Sequence, residues 1–288
     1  MNTRRKFIKS AGLASAALGL GLPQMACSST KADPLFKISL AEWSLNKQLF
    51  AGKMDHLDFP ILTKKVGISA VEYVNQFFMD KAKDKAYLKE MKTRAEGEGV
   101  RSVLIMCDSE GMMGAATAEE RAQTVENHKK WVEAAKFLGC HSIRVNAYSS
   151  VPWSTSKEDF DKSSDLASDG LHSLCEFADD FDINVLIENH GGFSSNFRIA
   201  NVNGKAVSYD SYRGVDELMP RAKGVSLKPK VWDDNGNESP LDYTKMMKLV
   251  LAHDFHEYVG IEHGEEGREW ESIEAIRIEL EKTRTQLE

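Results

Sequence analysis

The sequence predicts an α/β fold built on a parallel sheet, and three observations support this. Apolar, β-rich runs alternate with amphipathic helical stretches along the chain. The runs are apolar at nearly every position, which is typical of strands covered on both faces. Polar residues follow several runs where parallel strands would end at one shared edge. Together these features predict a TIM (β/α) barrel with right-handed crossovers.

Seven runs have the composition of strands, and each lies about one strand–helix unit from the next. The runs are FKISLAEW, ISAVEYV, VRSVLIMC, HSIRVNA, NVLIENH, KGVSLKPKV and EYVGIEH, with central residues Ser39, Val71, Val103, Ile143, Leu186, Ser226 and Gly260. Successive central residues are 32, 32, 40, 43, 40 and 34 positions apart. A full barrel needs two units between Leu186 and Ser226, and the 40-residue step holds only one. The sequence therefore predicts a barrel short of one βα unit around the sixth strand.

The segment that stands in place of this unit predicts a hairpin. Residues 197–209 read FRIANVNGKAVSY, in which Asn203 and Gly204 separate two short β-prone runs. An Asn-Gly pair in this setting is a strong signal for a two-residue hairpin turn. The barrel is therefore expected either to be open at the sixth position or to be completed there by a hairpin arm.

The helices between the strands are indicated by periodicity and by their ends. Residues 118–139 carry one apolar face, formed by Val125, Val132, Ala135 and Leu138. Glycines stand where three predicted helices should end: Gly67, Gly99 and Gly139.

Composition limits the classes of partner. The chain has 288 residues, 42% of them hydrophobic and 28% charged, which suits a globular α/β domain. We assign that domain to residues 31–288. A net charge of −7 argues against nucleic acid as a partner, because binding a phosphate backbone needs a positive surface. A mean hydropathy of −0.40 excludes a multi-span membrane protein.

Residues 1–30 have the three parts of an export signal. A basic head with Arg4 and Arg5 precedes an apolar run of about a dozen residues and then small residues. The paired arginines resemble a twin-arginine signal, whose cargo is exported folded. Cys27 resembles a lipoprotein acylation site, although Gln24 stands where an aliphatic residue is usual. The protein is expected to be periplasmic or a membrane-anchored lipoprotein, with membrane contact only through the signal or lipid. The alternative is a basic arm on a cytosolic protein.

The remaining cysteines do not form a metal or disulfide pattern. Cys107, Cys140 and Cys175 lack CxxC spacing and fall in predicted strands or helices. We expect them to be buried as small hydrophobic residues.

Two glutamates close strands in similar phrases and are the strongest catalytic candidates. Glu188 ends the apolar run of VLIENHGG, and Glu262 ends that of YVGIEHGEEG. Carboxylates at the C-terminal rim of a barrel can hold a divalent cation and move a proton beside a sugar carbonyl. We predict both as catalytic and as ligands of Mg²⁺ or Mn²⁺, with the third ligand unidentified. His190, which follows Glu188 by two residues, is assigned to substrate binding.

Other strand ends supply weaker candidates. Lys228 is a catalytic candidate that polarises a carbonyl or replaces a metal charge, with an interior ion pair as the alternative. Arg144 and Asn146 alternate with apolar neighbours, so both face one side, and Arg144 is either a substrate clamp or a structural salt bridge. Trp43 and Glu72 suit a sugar-stacking face and a hydroxyl acceptor. Their alternatives are a packed tryptophan and a buried carboxylate paired to Arg144.

With IENHGG, LMPRAKGVSLK and GIEH in view, the chain resembles the xylose isomerase-like TIM barrels, in particular exported sugar phosphate isomerase/epimerase-like members. The resemblance implies a divalent metal held by glutamates on strands five and eight, which Glu188 and Glu262 match. It also implies an aspartate on strand six, which has no match here. Lys228 stands where many members have a histidine, and Asp210 lies beside the next helix and is not expected to be a ligand.

The resemblance implies a sugar (phosphate) isomerase or epimerase that moves a proton through a metal-stabilised enediolate. One alternative is a lyase or hydrolase acting on oxidised (keto) glycosides. The other is a catalytically inactive sugar-binding relative, which the missing unit favours. Each implies a small-molecule carbohydrate as the partner.

Overall fold

Seven parallel strands form the main sheet in the computed structural model, which describes residues 33–152, 156–189, 200–202, 205–207, 209–235 and 237–288. These strands are β1 (Lys37–Ala41), β2 (Ala70–Val74), β3 (Arg101–Cys107), β4 (Ser142–Asn146), β5 (Asn184–Glu188), β8 (Val225–Leu227) and β11 (Tyr258–Ile261). Their order is β5-β4-β3-β2-β1-β11-β8, and every neighbouring pair is parallel. The sheet curls into a half-barrel that is open between β5 and β8, which confirms the predicted barrel short of one unit.

Helices flank the sheet between successive strands. They are α1 (Asn46–Phe50), α2 (Phe59–Lys65), α3 (Lys85–Gly97), α4 (Ala118–Leu138), α5 (Lys157–Asp179), α6 (Ser211–Leu218), α7 (Tyr243–Leu251) and α8 (Glu269–Leu287). The three glycines predicted to end helices all have positive φ, as residues just after a helix often do: Gly67 (80°), Gly99 (64°) and Gly139 (82°). At its other end α4 begins with a capping box between Thr117 and Glu120.

The predicted hairpin is present between β5 and α6. β6 (Ala200–Val202) and β7 (Lys205–Val207) pair in antiparallel register, with Val202 opposite Lys205. This pairing leaves two residues for the connection, as expected from Asn203-Gly204, which themselves lie outside the described residues. The two strands form a separate sheet and do not pair with β5 or β8.

One predicted strand is divided in two. KGVSLKPKV yields β8 and then β9 (Lys230–Trp232), which pairs antiparallel with β10 (Glu238–Pro240). Pro229 lies at the break and has no backbone N–H to donate to a ladder. The chain therefore leaves the barrel sheet directly after Lys228.

The core has two parts because strand side chains alternate between two faces. Outward-facing residues such as Val71, Ile105, Ile143 and Val259 are buried against the helices in the larger cluster. A smaller cluster lies on the inner face of the sheet and contains Ala70, Val74, Leu104 and Met106. The apolar lining of the inner face leaves polar side chains to the strand ends.

A buried hydrogen-bonded pair joins Glu42, which follows β1, to His56, which precedes α2. His56 Nδ1 lies 2.6 Å from Glu42 Oε1, and Glu42 Oε2 accepts the Val74 backbone N–H at 2.9 Å. The exposed fractions of the two side chains are 5% and 0%. The His56 ring stacks on Phe78 with ring centroids 4.7 Å apart. The polar atoms of this pair are therefore shielded from water, and His56 Nδ1 and Glu42 Oε1 are hydrogen-bond partners of each other.

Several expectations fall on residues outside the described part of the chain. These are the export signal of residues 1–30, Cys27 within it, and His190. Within the described residues, no helix is both long enough and apolar enough to cross a membrane. Cys107 and Cys140 are buried as expected. The expectation for Cys175 is wrong, because its side chain on α5 is exposed.

Candidate functional site

The C-terminal ends of the strands bring five predicted site residues to one edge of the half-barrel. Arg144 and Asn146 belong to β4, and Asn146 lies opposite Glu188 at the end of β5. Across the opening, Glu262 directly follows β11, and its backbone N–H donates to Leu227 O at 3.0 Å. That hydrogen bond sets Glu262 beside the end of β8, where Lys228 follows.

Lys228 bridges the two glutamates that were predicted from the repeated phrase. Its Nζ lies 3.1 Å from Glu262 Oε1 and 3.8 Å from Glu188 Oε1. The glutamate side chains are 14% exposed for Glu188 and 11% for Glu262, whereas that of Lys228 is 42% exposed. Ser226 Oγ donates to the other carboxylate oxygen of Glu262 at 2.8 Å. The edge strands β5 and β8 are thus linked through side chains where no backbone ladder joins them.

Arg144 connects Glu188 to a further carboxylate, Asp108. Arg144 Nη1 donates to Asp108 Oδ1 at 2.7 Å, and Arg144 Nε lies 3.0 Å from Glu188 Oε2 without hydrogen-bond alignment. Burial lowers the pKa of Arg144, but the charges of Glu188 and Asp108 raise it by more than burial lowers it. The net shift of the pKa is therefore upward, and the guanidinium stays charged. Asn146 donates to the same Asp108 oxygen at 2.7 Å, and its buried Oδ1 has no hydrogen-bond partner among the described residues.

Asp108 was missed by the sequence reasoning. It is the first residue after β3, so it has the same position relative to its strand as Glu262 has to β11. The same rule that selected the two glutamates would have selected it. Its backbone is held by Asn75, which accepts from the Asp108 N–H and donates to the Asp108 carbonyl, both at 2.9 Å.

Glu72 lies deeper, on the inner face of the sheet. It is 5% exposed, and Ser39 Oγ donates to its Oε1 at 2.6 Å. It is not hydrogen-bonded to Arg144 as the alternative for this residue required. A Cβ on Gly260 would lie 2.5 Å from Glu72 Oε1, so the absence of a side chain at Gly260 makes room for the carboxyl group.

Burial shifts the protonation of Glu72. Desolvation, the largest cause, raises its pKa from 4.5 to about 7, assisted by repulsion from Glu262 and Glu188 and opposed by Ser39 and Arg144. At neutral pH this group is divided between a carboxylic acid and a carboxylate. It can therefore take up or release a proton at the floor of the site.

We expect Glu72→Gln to change the pH dependence of folding stability. The folded wild type retains a proton that the unfolded chain releases above pH 4.5, so its stability falls as pH rises toward about 7. The burial cost of the carboxylate reaches about 3 kcal/mol above that pH. Glutamine removes this cost and still accepts from Ser39. In urea unfolding, the variant should gain stability relative to wild type at pH 8.5 and not at pH 5. A parallel pH dependence in both proteins would contradict the shift.

A cavity of about 760 Å³ connects these groups to the open side of the half-barrel. Its polar end contains Glu72, Arg144, Glu188 and Glu262. Most of the remaining wall comes from the edges of β5 and β8 and from the turn after α6. Its apolar lining includes Leu104, Met106, Leu186, Ile187, Leu218 and Val225. The volume is in the range of small-molecule sites. Four charged residues lie at one end, and Asp179, Arg221 and Lys223 are the charged residues elsewhere in the mainly apolar wall.

Trp43 lies on the other side of Glu262 in an aromatic group. Its ring centroid is 6.1 Å from that of Phe50 and 6.3 Å from that of Phe77. Trp43 and Glu262 line one small pocket. Phe50 is 62% exposed, so the group presents an aromatic surface to solvent beside the carboxylate. Trp43 is therefore packed against other aromatic rings and also accessible from the pocket, so it has features of both interpretations, a packed tryptophan and a sugar-stacking face.

The donor set does not fit a tightly held divalent metal. Each of the four glutamate oxygens faces a cationic or hydroxyl group: Lys228 for one oxygen of each residue, Arg144 for Glu188 and Ser226 for Glu262. In the described ranges, no three His, Cys, Asp or Glu side chains are grouped as metal ligands. Hard cations normally take six or more oxygen ligands, and here a fixed ammonium stands between the two carboxylates. Asp210, as expected, is not part of this site and instead caps α6.

Several solved structures share this fold at low sequence identity. A 3-keto-D-glucoside 4-epimerase, YcjR, from E. coli matches with a TM-score of 0.59 at 14% identity, covering 86% of this chain and 99% of its own. A sugar phosphate isomerase/epimerase from Parabacteroides distasonis matches with 0.58 at 15% identity, covering 90% and 98%. A xylose isomerase-like TIM barrel protein from Mycobacterium smegmatis, in complex with magnesium, matches with a TM-score of 0.60 at 11% identity. The match covers 87% of this chain and 97% of that protein. At these identities the matches establish the fold alone.

The family model for xylose isomerase-like TIM barrels matches residues 61–209, just over half of the chain. No curated protein sequence matches the chain. The matched range contains β2 to β5 and therefore Glu72, Arg144 and Glu188. The fold, the open barrel and this match agree with the resemblance found in the sequence, and the chain belongs to the xylose isomerase-like TIM barrel family.

Proposed function

We propose that this protein is a sugar isomerase or epimerase that moves a proton next to a carbonyl group through an enediolate. The observation that carries the proposal is that Lys228 bridges Glu188 and Glu262, and these two glutamates line the polar end of the cavity. It supplies one cation and two carboxylates at the C-terminal edge of the strands, where barrel enzymes have their active sites. The sugar-processing names of the structural relatives support the same class of reaction.

The chemistry follows from these groups. The Lys228 ammonium donates a hydrogen bond to the substrate carbonyl oxygen, which makes the neighbouring C–H more acidic. One glutamate takes that proton as the C–H bond breaks, and the electron pair of the C–H bond forms the C=C bond of the enediolate. The negative charge on oxygen is stabilised by Lys228 and by Arg144. Return of the proton to the former carbonyl carbon, together with transfer of the neighbouring hydroxyl proton to the former carbonyl oxygen, completes an isomerisation. Return of the proton to the original carbon from the opposite face completes an epimerisation.

The surrounding residues suit a carbohydrate. The aromatic group of Trp43, Phe50 and Phe77 offers a flat apolar surface for the C–H face of a sugar ring. Asn146 Oδ1 and Arg144 Nε are buried polar atoms that have no aligned hydrogen-bond partner in the part of the chain that the structure describes, so they can accept from and donate to sugar hydroxyls that reach them. The divalent cation expected from the resemblance is not part of this mechanism, because Lys228 lies between the carboxylates that would hold it.

A lyase or hydrolase acting on keto-glycosides is the second candidate, and the shape of the cavity favours it. Beyond the charged end, the wall is largely apolar and extends to the open seam between β5 and β8. This space suits a second group attached to the sugar. The same enediolate would then expel that group from the adjacent carbon.

Export remains part of the proposal. Arg4 and Arg5 with the following apolar run support delivery of a folded protein out of the cytoplasm, and Cys27 supports a lipid anchor there. The substrate would then be a carbohydrate met outside the cytoplasm.

Deuterium exchange tests the proposed function without knowledge of the product. The protein is incubated in D2O with ketoses, ketose phosphates and 3-keto-glucosides, and NMR follows loss of the proton beside the carbonyl. We expect exchange with one of these classes and none with Lys228→Met. Release of the second group of a glycoside would identify the lyase or hydrolase instead. Saturable binding of a sugar with no exchange in any class would contradict both enzymes and leave the sugar-binding alternative.

A further inference from the structure

We propose that Lys228 is the resident cation of this site, a tethered ammonium that replaces the divalent metal and makes the protein independent of metal. The proposal rests on the proposed function for what the cation does. It rests on geometry alone for the exclusion of metal. The Lys228 Nζ lies within 4 Å of two carboxylates: Glu188 at the end of the edge strand β5, and Glu262 after β11, which is the neighbour of the other edge strand, β8.

The backbone fixes Lys228 in this position. It is the first residue after β8, and the register of β8 with β11 places Leu227 opposite Ile261. The Glu262 N–H then donates to Leu227 O at 3.0 Å, so Lys228 and Glu262 leave their strands together. Pro229 follows at once and removes the next backbone donor. The ammonium is therefore held beside Glu262 by the end of the sheet and not by chance contact of long side chains.

Charge balance points the same way. The arc from Asp108 through Arg144, Glu188 and Lys228 to Glu262 contains three carboxylates and two cations, in alternating order. Its formal charge is −1 with Lys228 and would be −2 without it. A divalent cation added to the present arc would have to displace the ammonium or lie against it. Removal of Lys228 would leave two carboxylates with the charge and the free oxygens that such a cation needs.

Manganese binding tests the inference independently of any substrate. The full chain is stripped of metal and titrated with Mn²⁺, and bound metal is measured by the loss of the free-ion EPR signal. We expect wild type to bind weakly, with a Kd of about 1 mM or above. Lys228→Met should bind one Mn²⁺ per chain at least roughly tenfold more tightly. This gain should disappear in the double variant Lys228→Met with Glu262→Gln.

Lys230→Met is the matched control. Lys230 lies two residues further on, in β9, where its ammonium pairs with Glu238 on the exposed hairpin and not with the site. It should bind Mn²⁺ as wild type does. Circular dichroism of each variant establishes that the chain is folded before titration.

Two results would overturn the inference: stoichiometric Mn²⁺ binding by wild type in the micromolar range, or no gain of binding in folded Lys228→Met. These outcomes are separate from failure of the proposed function. If no substrate proton is exchanged but a manganese site appears on loss of Lys228, the tethered cation is supported and the isomerase proposal is contradicted. If a chelator abolishes proton exchange and wild type binds Mn²⁺ tightly, the isomerase proposal is supported and the tethered cation is contradicted.

Discussion

Glu188→Gln is expected to lower kcat by about 10²–10⁴-fold, the contribution typical of a positioned general base. Glutamine keeps the shape of the side chain and accepts hydrogen bonds, but it cannot take a proton from the substrate. Glu188 lies within reach of the Lys228 ammonium and the Arg144 guanidinium, which would hold the substrate oxygen. The carboxylate is thus next to the place where the proton becomes acidic.

The same variant should leave the fold almost unchanged. Arg144 keeps its bond to Asp108 and Lys228 keeps its pair with Glu262, so neither cation loses all its partners. We expect the free energy of unfolding to change by less than about 1 kcal/mol. The measurements are the rate of proton exchange into substrate and urea unfolding of the same preparation.

Glu257→Gln provides the matched control. Glu257 immediately precedes β11, so it lies at the end of the sheet opposite to the one that carries Glu188 and Glu262. Its carboxylate pairs with Lys37 at 3.4 Å. Its loss should leave turnover unchanged. Equal loss of activity in both variants, or wild-type turnover in Glu188→Gln, would remove Glu188 from the reaction.

His56→Ala is expected to destabilise the protein by about 3–5 kcal/mol, because it leaves the carboxylate of Glu42 buried without its partner. Glu42 has no exposed side-chain surface, and only the Val74 N–H would remain bonded to it. The variant also empties the space of a ring that stacks on Phe78. Urea unfolding at neutral pH measures the loss.

The surface pair of His253 and Asp216 is the control for this prediction. Its Nε2–Oδ1 distance of 2.7 Å is nearly the same as the 2.6 Å of the buried pair, but the side chains are 24% and 60% exposed. His253→Ala should cost at most about 1 kcal/mol, since water replaces the lost partner. Similar losses for the two variants would show that burial does not determine the strength of the inner pair.

The strand pattern could be predicted from the sequence because it is local. Alternation of side chains along a strand and the length of one crossover are properties of short segments, and all seven central strand residues lie in the strands of one parallel sheet. The missing unit followed from the same count. The glycine ends of α2, α3 and α4 were predictable for the same reason, since positive φ is a property of the single residue.

The rim residues were predictable only as a set. Parallel strands end at one edge, so Glu188, Glu262, Arg144 and Lys228 could be expected near one another without knowledge of their partners. Which group contacts which depends on strand order, because the paired residues are 34 to 44 positions apart in the chain. The pairing of Asp108 with Arg144 follows from the neighbouring positions of β3 and β4, and the pairing of Lys228 with both glutamates appears only when β5 and β8 become the free edges.

Protonation and burial were decided by the tertiary structure alone. Nothing in the sequence around Glu72 indicates a raised pKa, because its causes are burial on the inner face, which is the largest, and the nearby carboxylates of Glu262 and Glu188. The Glu42–His56 pair likewise joins residues that carry no recognisable motif. The sequence by itself determined the strands, their count and the polar edge at which they end. The tertiary structure decided which charges meet there, since electrostatic energy depends on distance and burial, which arise only when distant segments pack together.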